Sequence, residues 1–286
     1  MPPILPGLVE DCRRLAALTL MEDGGRDLTT DVTVPSALPA TGQLEFRSEG
    51  VLAGNPYADA VATACNCRIE WKTREGNRLR GGEVVGSVAG ELAMILRAER
   101  PILNLLQRAS GIATLTRRFV DAVEGTRCAV LHTRKTAPGL RVFDLNAVLA
   151  GGGALHRADL AQVVMVKDNH WKALIRQGRS LEDAAREARG RGAARVYVEV
   201  ELEHQVKLAC AAGADRLLVD NQSPEVVRQW GQLARSLKPG IEIEATGGIS
   251  LANARAYADA GADFISIGAL THSVVAADIS LEIAPA

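Results

Sequence analysis

From about residue 128 onward, short apolar runs alternate with polar bursts and with amphipathic stretches of helical period. The runs that have the length and composition of buried strands are Cys128–Leu131, Val163–Val166, Val196–Val200, Leu217–Val219, Ile241–Glu244 and Phe264–Ile267. The predicted helices between them are Leu181–Arg189, Glu203–Ala212, Pro224–Ser236 and Leu251–Ala260. This alternation predicts a parallel β-sheet, either closed as a barrel or open and doubly wound.

The first 92 residues follow a different pattern. Apolar positions at helical spacing predict a helix over residues 8–22, and period-2 alternation predicts strands at Gln43–Arg47, Glu70–Thr73 and Glu83–Ala89. A helical pattern then runs from Leu92 to Val123, with a restart expected near Pro101. The chain therefore divides into an α+β part followed by an alternating α/β part.

Polar or glycine residues follow nearly every predicted strand of the second part. These strand ends are Thr133-Arg134-Lys135, Lys167-Asp168-Asn169-His170, Glu199 with Glu201, Asp220-Asn221, Thr246-Gly247-Gly248 and Gly268. Barrel enzymes build their sites at the carboxyl ends of their strands. The succession of functional side chains there favours a barrel over a doubly wound sheet.

The strand at Val196–Val200 carries two carboxylates. Period-2 alternation places Tyr197, Glu199 and Glu201 on the face that points into the barrel. Inward carboxylates need partners. They either form ion pairs with inward lysines, or bind Mg²⁺ or sugar hydroxyls. Because Asp220 ends the next strand, the second interpretation is favoured, and a Mg²⁺ bound mainly through a phosphorylated substrate would suit this set of oxygen ligands.

The remaining strand ends predict an anion site. Gly247, Gly248 and Gly268 end the last two strands, where barrels commonly bind phosphate through backbone N–H groups. Facing them is a set of basic groups: Arg134, Lys135, His156, Arg157 and Lys167. Because arginine matches carboxylates bidentately, a substrate with two carboxylates would fit this much positive charge.

Composition excludes several classes. The net charge of −1 and 3% aromatic residues argue against nucleic acid or a membrane surface as a partner. The five cysteines are expected to be free buried thiols, not a disulfide framework. No signal peptide or stretch of about 18 apolar residues is apparent, so a cytoplasmic protein is expected.

Several motifs together resemble the quinolinate phosphoribosyltransferase family, also called the carboxylating nicotinate-nucleotide pyrophosphorylases. They are Asp27-Leu28-Thr29-Thr30, Glu99-Arg100, Ser110-Gly111-Ile112-Ala113-Thr114, Thr133-Arg134-Lys135-Thr136, Pro138-Gly139-Leu140-Arg141, Gly151-Gly152-Gly153 with His156-Arg157, Lys167-Asp168-Asn169-His170, Val198-Glu199-Val200-Glu201, Asp220-Asn221, Gly247-Gly248-Ile249 and Gly268-Ala269-Leu270-Thr271-His272-Ser273. These motifs run nearly from end to end of the chain.

The resemblance implies a fold and an activity. The fold would be an N-terminal α/β sandwich over residues 1–112, joined by residues 273–286, and a C-terminal open, TIM-like α/β barrel over residues 113–272. The activity would be transfer of phosphoribosyl from phosphoribosyl pyrophosphate to quinolinate with decarboxylation, giving nicotinate mononucleotide for NAD biosynthesis. The assembly would be a homodimer with shared sites, or a higher oligomer such as a hexamer.

The resemblance also implies residue roles. Quinolinate would be bound by Arg134, His156, Arg157 and Lys167, together with Arg100 of the neighbouring subunit, although Arg100 alone reads as a surface ion pair. Phosphoribosyl pyrophosphate would be bound by Lys135, Glu199, Asp220, Thr246, Gly247, Gly248 and Gly268. Glu199 and Asp220 would ligate Mg²⁺, and Lys135, Lys167, Glu199 and Asp220 would be the catalytic residues.

The chain departs from the family pattern at Asp144-Leu145-Asn146, where Glu-Lys-Tyr is usual, and at Leu155, where Asn is usual. Both departures are expected to flank the substrate pocket. One alternative is therefore a ModD-like phosphoribosyltransferase with another acceptor. A second alternative is a Schiff-base lyase, in which Lys135 or Lys167 attacks a carbonyl group.

Overall fold

The computed structural model describes residues 5–157, 159–161 and 163–285. The helices are α1 (Leu8–Glu22), α2 (Leu28–Thr33), α3 (Asn55–Ala64), α4 (Leu92–Ala122), α5 (Arg141–Ala150), α6 (Asp168–Arg176), α7 (Leu181–Gly190), α8 (Glu203–Ala211), α9 (Pro224–Leu237), α10 (Ala254–Asp259) and α11 (Ala269–His272). The strands are β1 (Pro39–Phe46), β2 (Gly50–Val51), β3 (Arg68–Trp71), β4 (Arg78–Leu79), β5 (Glu83–Glu91), β6 (Ala129–Leu131), β7 (Val164–Val166), β8 (Val196–Val200), β9 (Arg216–Asp220), β10 (Glu242–Thr246), β11 (Phe264–Ser266) and β12 (Ile279–Pro285).

The chain forms two compact units. The first comprises Met1–Arg117, Thr136–Gly152 and Ala269–Ala286, and the second comprises Arg118–Lys135 and Gly153–Gly268. The predicted division had placed all of residues 113–272 in the barrel. The structure instead groups α5 with the first unit, because the Phe143 ring packs edge-on against Tyr57, 4.8 Å between centroids, and Asp144 pairs with Arg108.

An antiparallel sheet with the order β12-β1-β5-β3 forms the centre of the first unit. In β1, buried and more exposed residues alternate, so one face of the strand belongs to the core. The last strand of the chain, β12, pairs antiparallel with β1, with Gln43 opposite Glu282. Together with the helices of this unit, the sheet forms the α/β part that the sequence predicted.

The predicted helix restart at Pro101 is wrong, because α4 continues through that position. Proline removes one backbone N–H donor from the helix, which costs roughly 3 kcal/mol in an interior turn. Burial on both sides offsets this cost: Ile95 precedes the proline, Ile102 and Leu106 follow it, and all three are fully buried. One apolar stripe therefore holds both halves in a single helix.

The second unit is an open parallel barrel. Its sheet has the order β6-β11-β10-β9-β8-β7, and each of its pairings is parallel. Strands that are consecutive along the chain from β7 to β11 are neighbours, and β6 then pairs with β11. This winding around an axis confirms the barrel over the doubly wound alternative. Between β6 and β7 the described residues show no strand pairing, which leaves the barrel open there.

The sequence Ala-Gly-Ala-Asp occurs twice, at residues 212–215 and 260–263, and its aspartate has an equivalent role in both places. The Asp215 carboxylate accepts a hydrogen bond from the backbone N–H of Val196 at 2.7 Å, and the Asp263 carboxylate accepts one from Ile243 at 2.8 Å. An arginine of the helix that leads into the neighbouring strand, Arg189 of α7 or Arg235 of α9, donates to each aspartate. In both copies the aspartate thus ties the amino end of its own strand to the neighbouring strand.

Candidate active site

A cavity of about 710 Å³ opens where the six parallel strands end. The lining residues are His132, Thr133, Arg134, Lys135, His156, Arg157, Met165, Lys167, Asp168, Glu199, Glu201, Leu218, Asp220, Asn221, Glu244, Thr246, Gly247, Gly248 and Ser266. Every strand of the barrel sheet, or the segment directly after it, contributes at least one of them. The structure therefore brings nearly all of the predicted strand-end residues into one cavity.

Two predicted site residues lie outside this lining. Gly268 lies two residues after β11, the last strand of the barrel sheet along the chain, and does not line the cavity. Arg100 belongs to the first unit, where its guanidinium donates to the Asn104 side chain at 3.0 Å. Its predicted role depends on a second subunit and stays a prediction.

The basic side of the cavity holds closely spaced positive charges. Arg157 is only 9% exposed, and its guanidinium donates to the carbonyl of Val163 at 3.3 Å. Burial lowers the pKa of Arg157, and the positive charge of Arg134 lowers it further. An anionic ligand would relieve both penalties, because it would replace lost hydration and separate two like charges.

Lys167 connects the basic side with the acidic side. Its Nζ donates to Oε2 of Glu199, and the other oxygen of Glu199 accepts from the backbone N–H of Asp168 at 3.3 Å. Glu199 is buried, so the ion pair between an inward lysine and an inward carboxylate, one of the two interpretations left open, is present. Glu201, which was also expected to point inward, follows the last residue of β8 and is exposed, and it lines the cavity as well.

Asp220 is the second carboxylate of the acidic side. Burial raises its pKa, and the negative charge of Glu199 raises it further, whereas a hydrogen bond from Asn221 at 2.7 Å opposes the rise. Two carboxylates that repel each other are a suitable place for a cation. Mg²⁺ bound partly through substrate phosphates needs only one or two protein carboxylates. Glu199 and Asp220 fit that role, although among the described residues no group of three or more His, Cys, Asp or Glu could hold a metal ion by itself.

The glycine-rich loop after β10 packs tightly on its neighbour. Gly247 has a φ of 82°, and a Cβ atom added to it would lie 2.2 Å from Oδ1 of Asn221. Asn221 itself has a φ of 52° and its backbone N–H donates to the carbonyl of Thr246 at 2.9 Å. Helix α10 begins only at Ala254, later than predicted, because Asn253 accepts from the N–H of Ser250 and closes the loop ahead of the helix. These contacts hold the backbone of the loop in place, and Gly247 and Gly248 line the cavity.

Sequence reasoning missed a buried charge network beneath the basic side. Nε2 of His156 lies 3.1 Å from Oε2 of Glu244, and Nη1 of Arg216 donates to the same oxygen at 2.9 Å. Ser266 donates to the other oxygen of Glu244. Nε of Arg216 also donates to Glu242 at 2.7 Å. The alternation of Glu242 and Glu244 in a predicted strand was the available signal, because two charges on one face of a buried strand require partners.

The three histidines between residues 131 and 170 have three different roles. His156 lines the cavity, and its backbone N–H donates to Nε2 of the buried His132 at 3.0 Å. His170 turns away from the lining: its Nδ1 accepts from the backbone N–H of Lys167 at 3.0 Å and caps α6. Of these three imidazoles, His132 and His156 line the cavity and His170 does not.

The family departures at residues 144–146 belong to α5 in the first unit, and none of them lines the cavity. Asp144 is fully buried and accepts from the guanidinium of Arg108 at 2.9 Å. Asn146 borders a separate cavity of about 230 Å³ that also includes Glu75 and Arg117. Leu155 is 39% exposed and does not line the large cavity either.

Two further expectations concern the state of the cysteines and the presence of membrane-spanning helices. All five cysteines are free and buried, as predicted. Over the part of the chain that the structure describes, no helix combines the length and apolar character that crossing a membrane requires.

The sequence matches two family profiles. Residues 27–110 match the N-terminal domain of quinolinate phosphoribosyl transferase, and residues 112–282 match its C-terminal domain. The nicotinate-nucleotide pyrophosphorylase [carboxylating] of Mycobacterium leprae is 38% identical over 91% of this chain and 92% of its own length. The enzyme of the same name from Homo sapiens is 37% identical over 99% of this chain and 93% of its own length.

A solved structure agrees with the sequence matches. The nicotinate-nucleotide pyrophosphorylase from Francisella tularensis superposes with a TM-score of 0.90 at 30% identity, covering 99% of this chain and 98% of that one.

Proposed function

Because the chain belongs to the quinolinate phosphoribosyltransferase family, we propose that it transfers phosphoribosyl from phosphoribosyl pyrophosphate to quinolinate and releases pyrophosphate and CO₂. The product is nicotinate mononucleotide, an intermediate of NAD biosynthesis. One observation carries the proposal: a single cavity joins a cluster of cations, a pair of carboxylates and a glycine loop. A dianionic acceptor and a phosphorylated donor require these three kinds of group.

The acceptor binds on the basic side. Arg134 and Arg157 pair with the two adjacent carboxylates of quinolinate, with His156 and Lys167 as further donors. The mutual repulsion of the two arginines in the protein supports this assignment, because a dianion removes it. Arg100 of a second copy completes the site.

The donor binds on the opposite side of the cavity. Thr246, Gly247, Gly248 and Gly268 hold its 5-phosphate, and Lys135, Glu199 and Asp220 act at the ribose and pyrophosphate. Glu199 and Asp220 would hold a Mg²⁺ ion, which would neutralise charge on the departing pyrophosphate. The tight packing of Gly247 on Asn221 supports a fixed phosphate loop.

The reaction has two bond-breaking stages. The ring nitrogen of quinolinate forms a bond with C1 of the ribose as the bond from C1 to pyrophosphate breaks, and Glu199 and Asp220 offset the positive charge that develops on the sugar. The bond to the 2-carboxylate then breaks and releases CO₂. The electron pair left on the ring carbon is stabilised by the quaternary nitrogen and takes a proton from solvent.

The oligomer and the location complete the proposal. The enzyme acts in the cytoplasm as a homodimer, or as a hexamer, with sites shared between subunits. Mixing an Arg100→Ala variant with an Arg134→Ala variant tests sharing, because a heterodimer contains one site with both arginines. Activity recovered after mixing and subunit exchange supports the shared site, and no recovery, with heterodimers present, contradicts it.

Product analysis tests the activity. Quinolinate and phosphoribosyl pyrophosphate should yield nicotinate mononucleotide and CO₂ in equal amounts, and only with Mg²⁺ present. A panel of other pyridine and heterocyclic acids should give no pyrophosphate release. Turnover of another acid in place of quinolinate would favour the ModD-like alternative, and a borohydride-trapped adduct without need for the donor would favour the lyase.

A further inference from the structure

His156 is held from behind by a buried carboxylate. Glu244 is 1% exposed, and its Oε2 lies 3.1 Å from Nε2 of His156. Nη1 of Arg216 forms a buried ion pair with the same oxygen at 2.9 Å, and the Ser266 hydroxyl donates to the other oxygen of Glu244. Glu244 is therefore ionised at neutral pH. Because an ionised carboxylate only accepts hydrogen bonds, Nε2 of His156 carries a proton.

The other ring nitrogen of His156, Nδ1, has no hydrogen-bond partner among the described residues, and the side chain borders the cavity. A substrate carboxylate is also an acceptor only. If a carboxylate binds at Nδ1 while Glu244 stays at Nε2, both ring nitrogens must carry protons. A neutral imidazole has one N–H and cannot satisfy two acceptors.

We propose that Glu244 is a positioning residue that fixes the Nε2 proton of His156 and thereby couples the binding of a dicarboxylate to the uptake of one proton at Nδ1 of His156. This inference rests on the proposed function for the identity of the ligand, quinolinate. It gives Glu244 a role in positioning His156, and it adds the uptake of one proton to the binding of quinolinate.

The charges around His156 explain why the proton arrives with the ligand. On β9, the Arg216 guanidinium donates to the same Glu244 oxygen that contacts His156. On β8, the neutral Tyr197 ring packs edge-on against the His156 ring, with 5.7 Å between centroids. On β11, the neutral Ser266 hydroxyl donates to Glu244. Past β6, His132 accepts from the backbone of His156, and Arg134 lies in the same cavity. The remaining charged groups of the lining are Lys135, Arg157, Lys167, Asp168, Glu199, Glu201 and Asp220.

Arg134 and Arg157 oppose an additional positive charge in the cavity, whereas Glu244 favours it. A bound dianion removes the opposition of the two arginines and leaves the attraction of Glu244. Protonation of His156 is then favourable in the complex, as linkage between two sites requires.

Glu242 provides a matched control for Glu244. It lies two residues earlier in β10, and it also pairs with Arg216, at 2.7 Å. Its second cationic partner is Arg195 at 2.8 Å, and among the described residues the partner of the His156 imidazole is Glu244 and not Glu242. Glu242→Gln therefore removes a charge from the same strand and the same arginine without touching the imidazole.

The experiment is calorimetric titration of the full-length protein with benzene-1,2-dicarboxylate, which has the two adjacent carboxylates but no ring nitrogen to react. Titrations at pH 8 in buffers of different ionisation enthalpy give the number of protons taken up. The wild-type protein and Glu242→Gln should take up about one proton, because Glu244 keeps the Nε2 proton in place and the bound carboxylate requires a second proton on Nδ1. Glu244→Gln should take up none, because an amide can donate to Nε2 and leave the single ring proton on Nδ1.

Glu244→Gln should also bind about tenfold more weakly, the effect of losing about 1.4 kcal/mol from a charge-assisted contact. Equal proton uptake in Glu244→Gln and the wild-type protein would overturn the proposal. A second measurement needs no Glu244 variant: in wild-type protein labelled with ¹⁵N-histidine, His156 should carry a proton on Nε2 alone when free and on both nitrogens when bound. One protonated nitrogen in the complex would also overturn it.

Because benzene-1,2-dicarboxylate binds without reacting, the titration tests this inference independently of the proposed activity. If quinolinate is not turned over but the dicarboxylate binds with proton uptake that depends on Glu244, the activity is wrong and the inference stands. If quinolinate is turned over but uptake is absent, the inference alone fails.

Discussion

Nζ of Lys167, directly after β7, donates to the carboxylate of Glu199, which belongs to the adjacent strand β8. This ion pair lies between the cations assigned to the acceptor and the carboxylates assigned to the donor. The charge of Lys167 also lowers the pKa of Asp220, opposing the burial and the Glu199 charge that raise it. Lys167 therefore affects both halves of the cavity.

Replacing Lys167 by methionine should lower kcat/KM for quinolinate by roughly 100-fold or more, in the range of losing one preorganised charged donor. The change removes a hydrogen-bond donor to quinolinate, and it leaves the buried carboxylate of Glu199 without its cationic partner. Steady-state kinetics with each substrate varied in turn measures it. Lys172→Met is the control, because Lys172 pairs with Asp168 on the exposed side of α6 and should retain activity. Equal losses in the two variants would contradict the assignment of Lys167.

A substitution at Gly247 tests the part of the cavity that is proposed to bind phosphoribosyl pyrophosphate. Alanine there would bring a Cβ to 2.2 Å from the side-chain oxygen of Asn221 in addition to the strain of a positive φ. The loop should shift, and KM for phosphoribosyl pyrophosphate should rise roughly tenfold or more, which corresponds to about 1.4 kcal/mol. Gly240→Ala is a matched control, because Gly240 has nearly the same φ, 83°, with nothing within 4 Å of the added Cβ.

Both variants should lose about 1–2 kcal/mol of stability from backbone strain, measured by urea denaturation. Only Gly247→Ala should change the KM for the donor. A normal KM in a folded Gly247→Ala protein would show that this loop does not bind the donor phosphate.

The barrel could be predicted from one sequence because its signals are local. Each strand is a short apolar run, and a residue such as Lys167 or Asp220 follows directly, so periodicity alone locates both. Parallel strands then bring their carboxyl ends to one edge. The cavity lining could be predicted to that extent without any knowledge of which strands are neighbours.

Arg216 and Glu244 could not be located in the same way. Arg216 is buried because its guanidinium lies 3.8 Å from the ring centroid of Phe264 and 4.6 Å from that of Tyr197, and because it bonds to two glutamates. Those partners come from three other strands. A charged residue beside a short apolar run looks like a strand end until the strand order is known. Pro101 is a similar case, since packing across α4 overrides the local tendency of proline to interrupt a helix.

The duplicated aspartates allow a stability test within one molecule. Asp215 and Asp263 make equivalent bonds to a strand N–H and a helix arginine. Alanine at either position should lower the free energy of unfolding by a similar amount, about 1–3 kcal/mol, because each leaves a backbone donor without its partner. Asp259→Ala is the control: its partner is the exposed Arg255, so about 0.5 kcal/mol or less is expected. A large difference between Asp215→Ala and Asp263→Ala would contradict the equivalence of these two half-buried positions.

The buried carboxylate of Glu244 gives the protein a predictable response to acid. Its pKa in the folded protein lies below the ordinary value, since His156, Ser266 and Arg216 outweigh the effect of burial. A carboxylate with a lowered pKa stabilises the fold fully above its unfolded-state pKa of about 4.3, and this contribution is lost as pH falls through the lower, folded-state value.

Urea denaturation of the wild-type protein and Glu244→Gln between pH 7 and pH 3 tests this response. At neutral pH the variant should be less stable by roughly 3 kcal/mol, because Arg216 and His156 lose a buried anionic partner. The difference should stay constant down to about pH 5 and then shrink, because acid neutralises Glu244 in the wild-type protein only. A difference that is unchanged or larger at pH 3 would mean that Glu244 is not held ionised by its three partners.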